Sequence, residues 1–186
     1  MLKYVQLTAI MLVLALAGGT FVSLNSAAAA SAAEIDREVK TALEDLYGQS
    51  ASAKAMGEKA KGILVFPSIT KGGFIVGGQY GEGALLKAGK TAGYYNTIQV
   101  SYGLQVGIQT YGYVLFFMTE SAMSYIDKSA GWEVGVGPSI VVVDVGAASS
   151  ATTTTLQSEI YAFFFDETGL MAGLGLQGTK ITKVDK

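Results

Sequence analysis

The sequence predicts an α+β fold, with N-terminal helices packed on a strongly curved, mainly antiparallel, glycine-rich sheet or small barrel. Three observations lead there. Apolar residues recur at helical spacing only near the start of the chain, from Glu34 to Tyr47. Beyond Gly62 the period falls to two, most clearly where Ile98, Val100, Tyr102, Leu104, Val106 and Ile108 alternate with Gln99, Ser101, Gly103, Gln105, Gly107 and Gln109. Glycine supplies 24 of the 186 residues, about 13%, where roughly 7% is usual.

A leader precedes these elements. Met1-Leu2-Lys3 is a short positive start, Val5 to Ala17 is almost unbroken apolar sequence, and Ser26 to Ala33 is a run of small residues. A charged start, an apolar stretch and an A-x-A-like exit describe a secretory signal peptide. Cleavage is expected between Ala28 and Ala33, with Ala30-Ser31-Ala32 and Ser31-Ala32-Ala33 both fitting the rule. The competing reading is an uncleaved anchor, since Val5 to Leu24 approaches the ~20 residues that span a bilayer. With residues 1–33 taken as signal peptide, residues 34–186 form one domain, helical over 34–61 and mainly β over 62–186. Losing Lys3 leaves 12 basic against 15 acidic groups, a balance that argues against a general nucleic-acid binder.

In the first helix Ile35, Val39, Leu43, Leu46 and Tyr47 draw one stripe. Glu34, Asp36 and Glu38 suit its N-terminal end, and Gly48 stops it. A second, shorter helix is expected from Ser50 or Ser52 to Lys61, with Ala53, Met56 and Ala60 as a weak stripe. Ile63 to Phe66 reads as a buried strand ended by Pro67, and Phe74 to Leu86 as another extended stretch. Ile98 to Ile108 is expected to bury its apolar face and leave the other polar or bare, and Tyr113 to Met118 to be covered on both faces. A short helix follows near 119–129, capped by Thr119 or Ser121. Strands resume at Trp132–Val136 and Ile140–Val145, while Ser149–Thr155 is an edge strand or a loop. Ile160–Phe165 and Leu170–Leu176 flank Asp166-Glu167-Thr168-Gly169, which reads as a hairpin turn.

Glycine inside a strand is entropically unfavourable and calls for a reason. Gly81/Gly83, Gly103/Gly107, Gly135/Gly137 and Gly173/Gly175 stand an even number of residues apart. Each pair therefore falls on one strand face. A face without side chains permits tight coiling or close approach of another element.

Composition excludes much chemistry. The chain has no cysteine and no histidine, hence no disulfide, thiolate, imidazole base or Ser-His-Asp triad. Carboxylates, Lys, Tyr and backbone remain, and the balance favours a binding or structural protein over an enzyme, with no cofactor or metal expected. Gly173 to Gly178 satisfies G-x-G-x-x-G, yet only eight residues follow and no crossover helix can be built. Gly83 to Thr91 resembles a phosphate loop with one residue too many between its glycines. Asp166 and Glu167 read as a charged turn. A membrane barrel conflicts with the helices, the doubly apolar runs and the charged C-terminal residues Lys183, Asp185 and Lys186.

The order of segments resembles the SYLF domain, a lipid-binding family of bacteria and of eukaryotic actin regulators. The residues that carry the resemblance are Ala60 to Pro67, Lys71 to Gly83, Gly103 to Gln109, Gly131 to Pro138 and Gly169 to Gly178. Two features depart from the pattern: Tyr94 to Thr97 stands where a Trp- and Pro-containing segment is usual, and Trp132 lies in a later block. The resemblance implies contact with anionic phospholipid through the N-terminal helical part and nearby basic residues, without enzymatic activity. Actin binding belongs to the eukaryotic relatives and is not expected of an exported protein.

Independently, Lys54, Lys59, Lys61, Lys71, Lys87 and Lys90 face only Glu58 and Glu82 between residues 54 and 90. The first helix is acidic, so this lysine stretch is the expected contact for an anionic membrane surface. Solvated lysines at turns are the plainer reading. Tyr94, Tyr95, Tyr111 and Tyr113 are candidates for a headgroup interface or for sheet packing. The alternative function is a secreted structural or protein-interaction scaffold.

Overall fold

A computed structural model describes residues 30–128, 130–143, 158–169 and 175–186. Helix α1 spans Ala32–Gln49 and α2 spans Ala51–Gly57. Strand β1 runs from Gly62 to Lys87 and β2 from Lys90 to Phe117. A single turn of helix, α3 (Glu120–Met123), is followed by β3 (Trp132–Glu133), β4 (Ile140–Val143), β5 (Ile160–Gly169) and β6 (Lys180–Val184). The six strands form one sheet. β2 pairs with β1 along one edge, and its other edge carries β6 near its start and β5 near its end. All pairs are antiparallel except β4 with β5. The α+β class with N-terminal helices and a strongly curled sheet is the one expected from sequence.

Caps set the helix ends. The Ser31 hydroxyl accepts from the Glu34 amide, and Ser50 serves both helices. The Ser50 amide donates to Leu46 at the end of α1, while its side chain accepts from Ala53 at the start of α2. The second helix is shorter than expected, because Gly57 packs against the Tyr47 ring and the chain turns there.

β1 is one strand where two were expected. Pro67 interrupts no strand; it lies in a register shift between Phe66 and Ile69, where a residue without an N–H costs the ladder nothing. The strand also folds back over its own face. A β-carbon at Gly81 would meet the Ile69 side chain at 2.6 Å and the Ser68 carbonyl at 2.9 Å, and one at Gly83 would strike the Val65 carbonyl. At the bend, a β-carbon on Gly73 would touch Gly77. The bare face inferred from Gly81 and Gly83 is thus the surface on which β1 doubles over. Gly135 and Gly137 behave otherwise. They follow β3 in turns with φ of +104° each, so they share no strand face.

Two apolar cores lie on opposite sides of the curled sheet. The inner one gathers Leu64, Phe66, Tyr113, Leu115 and Phe117 with Met123, Ile126 and Trp132. The outer one seats Ile35, Val39 and Leu46 of α1 and Met56 of α2 on Val65, Val114, Phe116 and Phe163. Tyr113 to Phe117 are buried on both faces, as expected, whereas Met118, expected with them, lies past the end of β2 and is half-buried. Each fully buried large apolar side chain contributes on the order of 2 kcal/mol.

The alternating stretch of β2 does the reverse of what its pattern predicts. Ile98 and Val100 are 43% and 60% exposed, whereas Thr97 and Gln109 are buried. The outer face is covered only where α1 and α2 reach, and those helices end short of Ile98. Some of the polar groups on the inner face are paired there, although Gln79 Nε2 and Gln109 Oε1 are buried without a hydrogen-bond partner among the described residues. The Tyr113 hydroxyl donates to Thr97 at 2.8 Å and the Tyr111 hydroxyl to Gln79 at 2.6 Å.

Asp166 to Gly169 forms no hairpin turn. β5 continues through these residues, with Asp166 at φ +53° beside a register shift, and Thr168 and Gly169 pair with Thr110 and Gln109. Pairing to a long central strand outweighs the local turn signal. The expected helix near 119–129 is one turn capped by Thr119, and the strand at Trp132–Val136 stops at Glu133. Ser149–Thr155 and Leu170–Leu174 lie outside the described residues. Among those described, no helix is long and apolar enough to cross a membrane.

Candidate functional site

The fold of β1 decides which of the six lysines meet. Gly62, at the start of β1, sits against Met123 and the Leu85 side chain near its end. Lys61 and Lys87, which flank that contact in sequence, therefore lie toward one end of the folded sheet. Lys87 and Lys90 form a cross-strand pair around a tight turn, in which Ala88 (φ +49°) and Gly89 (φ +74°) take left-handed backbone. Both lysines are exposed, as are Lys54 on α2 and Lys59 and Lys61 just beyond it. The Lys61 amide donates to the Phe117 carbonyl at 2.7 Å, which fixes the chain entering the sheet.

Lys71 stands apart from the other five. It is only 8% exposed and lies opposite Gln109 in the β1–β2 ladder, inside the curl. The bend at Gly73 turns this part of β1 inward, so Lys71 is removed from any surface contact made by the rest. Basic residues that the sequence stretch omitted come from β6 and the two residues after it. The Lys183 stem lies over Gly93, with its Cε 3.3 Å from where a β-carbon would stand. Their sequence signal is the three-residue spacing of Lys180, Lys183 and Lys186.

Beside the β1–β2 turn, α1 and the sheet leave a groove of about 380 Å³. Val39, Leu43, Tyr47 and Leu86 give it an apolar floor, and Asp36, Lys40 and Glu44 line its rim. Asp36 anchors the turn to the helix, accepting from the Thr91 hydroxyl at 2.8 Å and the Tyr94 hydroxyl at 3.1 Å. Burial, and then the hydrogen bond to that carboxylate, hold the Tyr94 phenol above its ordinary pKa. Burial and the nearby Glu58 charge push Tyr47 up to about 12. These phenols stay neutral at physiological pH and act as packing and hydrogen-bonding groups. Of the four tyrosines considered for an interface, Tyr95, Tyr111 and Tyr113 are core residues and Tyr94 is half-buried.

An apolar floor with a mixed-charge rim and exposed lysines alongside can receive an amphiphile: ammonium groups for a phosphate, methyl and ring surfaces for a chain. No cluster of acidic side chains among the described residues could hold a metal ion.

Residues 98–186 match the family Ysc84, described as Las17-binding protein actin regulator. The match begins in the first third of β2 and takes in α3 and β3–β6. No curated protein matches the chain.

Proposed function

We propose, from the match of residues 98–186 to the Ysc84, or SYLF, family, a lipid- or actin-related one, that the protein is an exported, non-catalytic phospholipid-binding domain of the bacterial envelope. The observation that carries this reading is the groove floored by Val39, Leu43, Tyr47 and Leu86, next to the exposed pair Lys87 and Lys90. Lys54, Lys59 and Lys61 supply further exposed charge. Each lysine near an anionic leaflet contributes roughly 1 kcal/mol, so four give about 4 kcal/mol. That supports reversible, salt-sensitive adsorption, with the groove accepting part of an acyl chain.

Co-sedimentation of the processed protein with vesicles of phosphatidylglycerol and phosphatidylcholine, against phosphatidylcholine alone, tests this. Pelleting is expected with the anionic vesicles and is expected to fade between 0.1 and 1 M salt, as the Debye length falls from about 10 Å to 3 Å. A Lys87→Glu/Lys90→Glu double variant is expected to bind at least tenfold more weakly. Equal pelleting with both lipids would defeat the electrostatic contact.

A second reading, a protein-interaction scaffold, draws on a different surface. Val76, Tyr80, Ile98 and Val100 are exposed on the outer face of paired strands, and exposed apolar patches mark interaction sites. Recovery of a single protein partner, with no lipid in native mass spectra, would favour it.

A further inference from the structure

At one edge of the outer face, the chain preceding α1 is held by a three-part clasp. The Ala30 amide donates to Glu82 Oε2 at 3.0 Å. Lys186 Nζ bridges the Ala30 carbonyl at 2.9 Å and Glu82 Oε1 at 2.8 Å. The Tyr80 hydroxyl donates to the same Oε1 at 3.0 Å. The charged pair is nearly enclosed, with the Lys186 and Glu82 side chains 9% and 12% exposed. So enclosed a carboxylate, far from its cation in sequence, marks a built contact and not a passing surface pair.

We propose that the signal peptide ends at Ala27-Ala28-Ala29, that Ala30 is the first residue of the mature chain, and that its α-ammonium is seated on Glu82. The inference rests on the export reading above and sharpens it to a bond. The peptidase needs small residues at the last and third-last leader positions, and the alanine run satisfies that in several registers. The folded domain distinguishes their products. Cutting after Ser31, Ala32 or Ala33 removes Ser31, whose hydroxyl and carbonyl accept from the first amides of α1. Cutting after Ala30 discards the clasped residue and places a positive charge at the N-terminal, positive end of the helix dipole. Cutting after Ala28 leaves a neutral amide on Glu82. Only a cut after Ala29 keeps every contact and converts the Ala30–Glu82 hydrogen bond into a charge-assisted one. Burial acts to raise the Glu82 pKa, yet the bonds from Lys186, Tyr80 and Ala30 prevail and hold it below the usual carboxylate value. The receiving group is therefore anionic at neutral pH.

The test expresses the full 186-residue chain in a bacterial host and reads the product by intact mass and N-terminal sequencing. Ala30 is the expected first residue. A chain that retains its leader would overturn the export reading itself, whereas a processed product starting at any other residue would overturn only this assignment. Competitive labelling of the α-amine then tests the clasp. In the wild type it is expected to react at least threefold more slowly at pH 7 than in Glu82→Gln, because Glu82 stabilises the unreactive ammonium. Equal rates would overturn the seating. Lys186→Met, which removes the competing cation, is expected to slow labelling further, and faster labelling there would also count against it.

Discussion

At Gly83 a β-carbon would meet the Val65 carbonyl and the Phe66 ring, and at Gly81 it would meet Ile69 and Ser68. These atoms belong to the other half of the same strand, so bare backbone is what allows β1 to double over. Backbone cannot yield as a flexible side chain can, so Gly83→Ala is expected to cost about 3 kcal/mol, the upper end for overpacking. Chemical denaturation would show this as a lower midpoint with an unchanged slope. Gly48, with open space around it, provides the contrast: Gly48→Ala is expected to be neutral or mildly stabilising. Inside the curl, Tyr113→Phe leaves Thr97 without its donor and is expected to cost about 1 kcal/mol. The spacing of Gly81 and Gly83 was legible in the sequence as one bare face. What approached that face was not, because it is the same strand twelve or more residues away.

Among the elements, α1 was readable because its stripe and acidic start are local, whereas its cap at Ser31 was not, since that residue falls within the expected leader. Its end and the start of α2 share Ser50, but only the α2 cap uses the side chain, so Ser50→Ala is expected to weaken the start of α2 by about 1 kcal/mol, measurable as reduced helical signal and melting temperature, while the amide bond to Leu46 persists. The long strands were less legible. Pro67 looked like a terminator because proline removes a ladder donor, but a register shift leaves that donor unneeded. Asp166 to Gly169 carried a strong turn pattern and yet lies in β5, since pairing with Gln109 and Thr110 supplies hydrogen bonds a turn would forgo. Period two in β2 gave the strand and its two faces correctly but the covered face in reverse, because coverage depends on how far α1 and α2 extend over the sheet.

For the whole molecule, burial leaves a titration signature. Tyr47, Tyr95 and Tyr111 are pushed up to about 12, chiefly by desolvation, and Tyr113, fully enclosed, is raised further. A raised folded-state pKa means the stabilisation is complete below the ordinary value of 10 and is lost as pH rises toward 12. Phenolate absorbance is therefore expected to lag behind free tyrosine and then rise together with unfolding. Glu82 has the opposite sign. Its lowered pKa stabilises above about 4.5, and that part is lost as pH falls through its folded value. Acid denaturation of Glu82→Gln is expected to lack this component. The sequence by itself determined the class, the helical start, the strand periodicity and the excluded chemistry, because composition and spacing express local preferences. Only the tertiary structure decided that Lys71 turns inward while Lys87 and Lys90 stand beside an apolar groove, and that Ala30 meets Glu82 and Lys186. These follow from a strand folding over bare glycines and from chain ends meeting far apart in sequence, which no local pattern encodes.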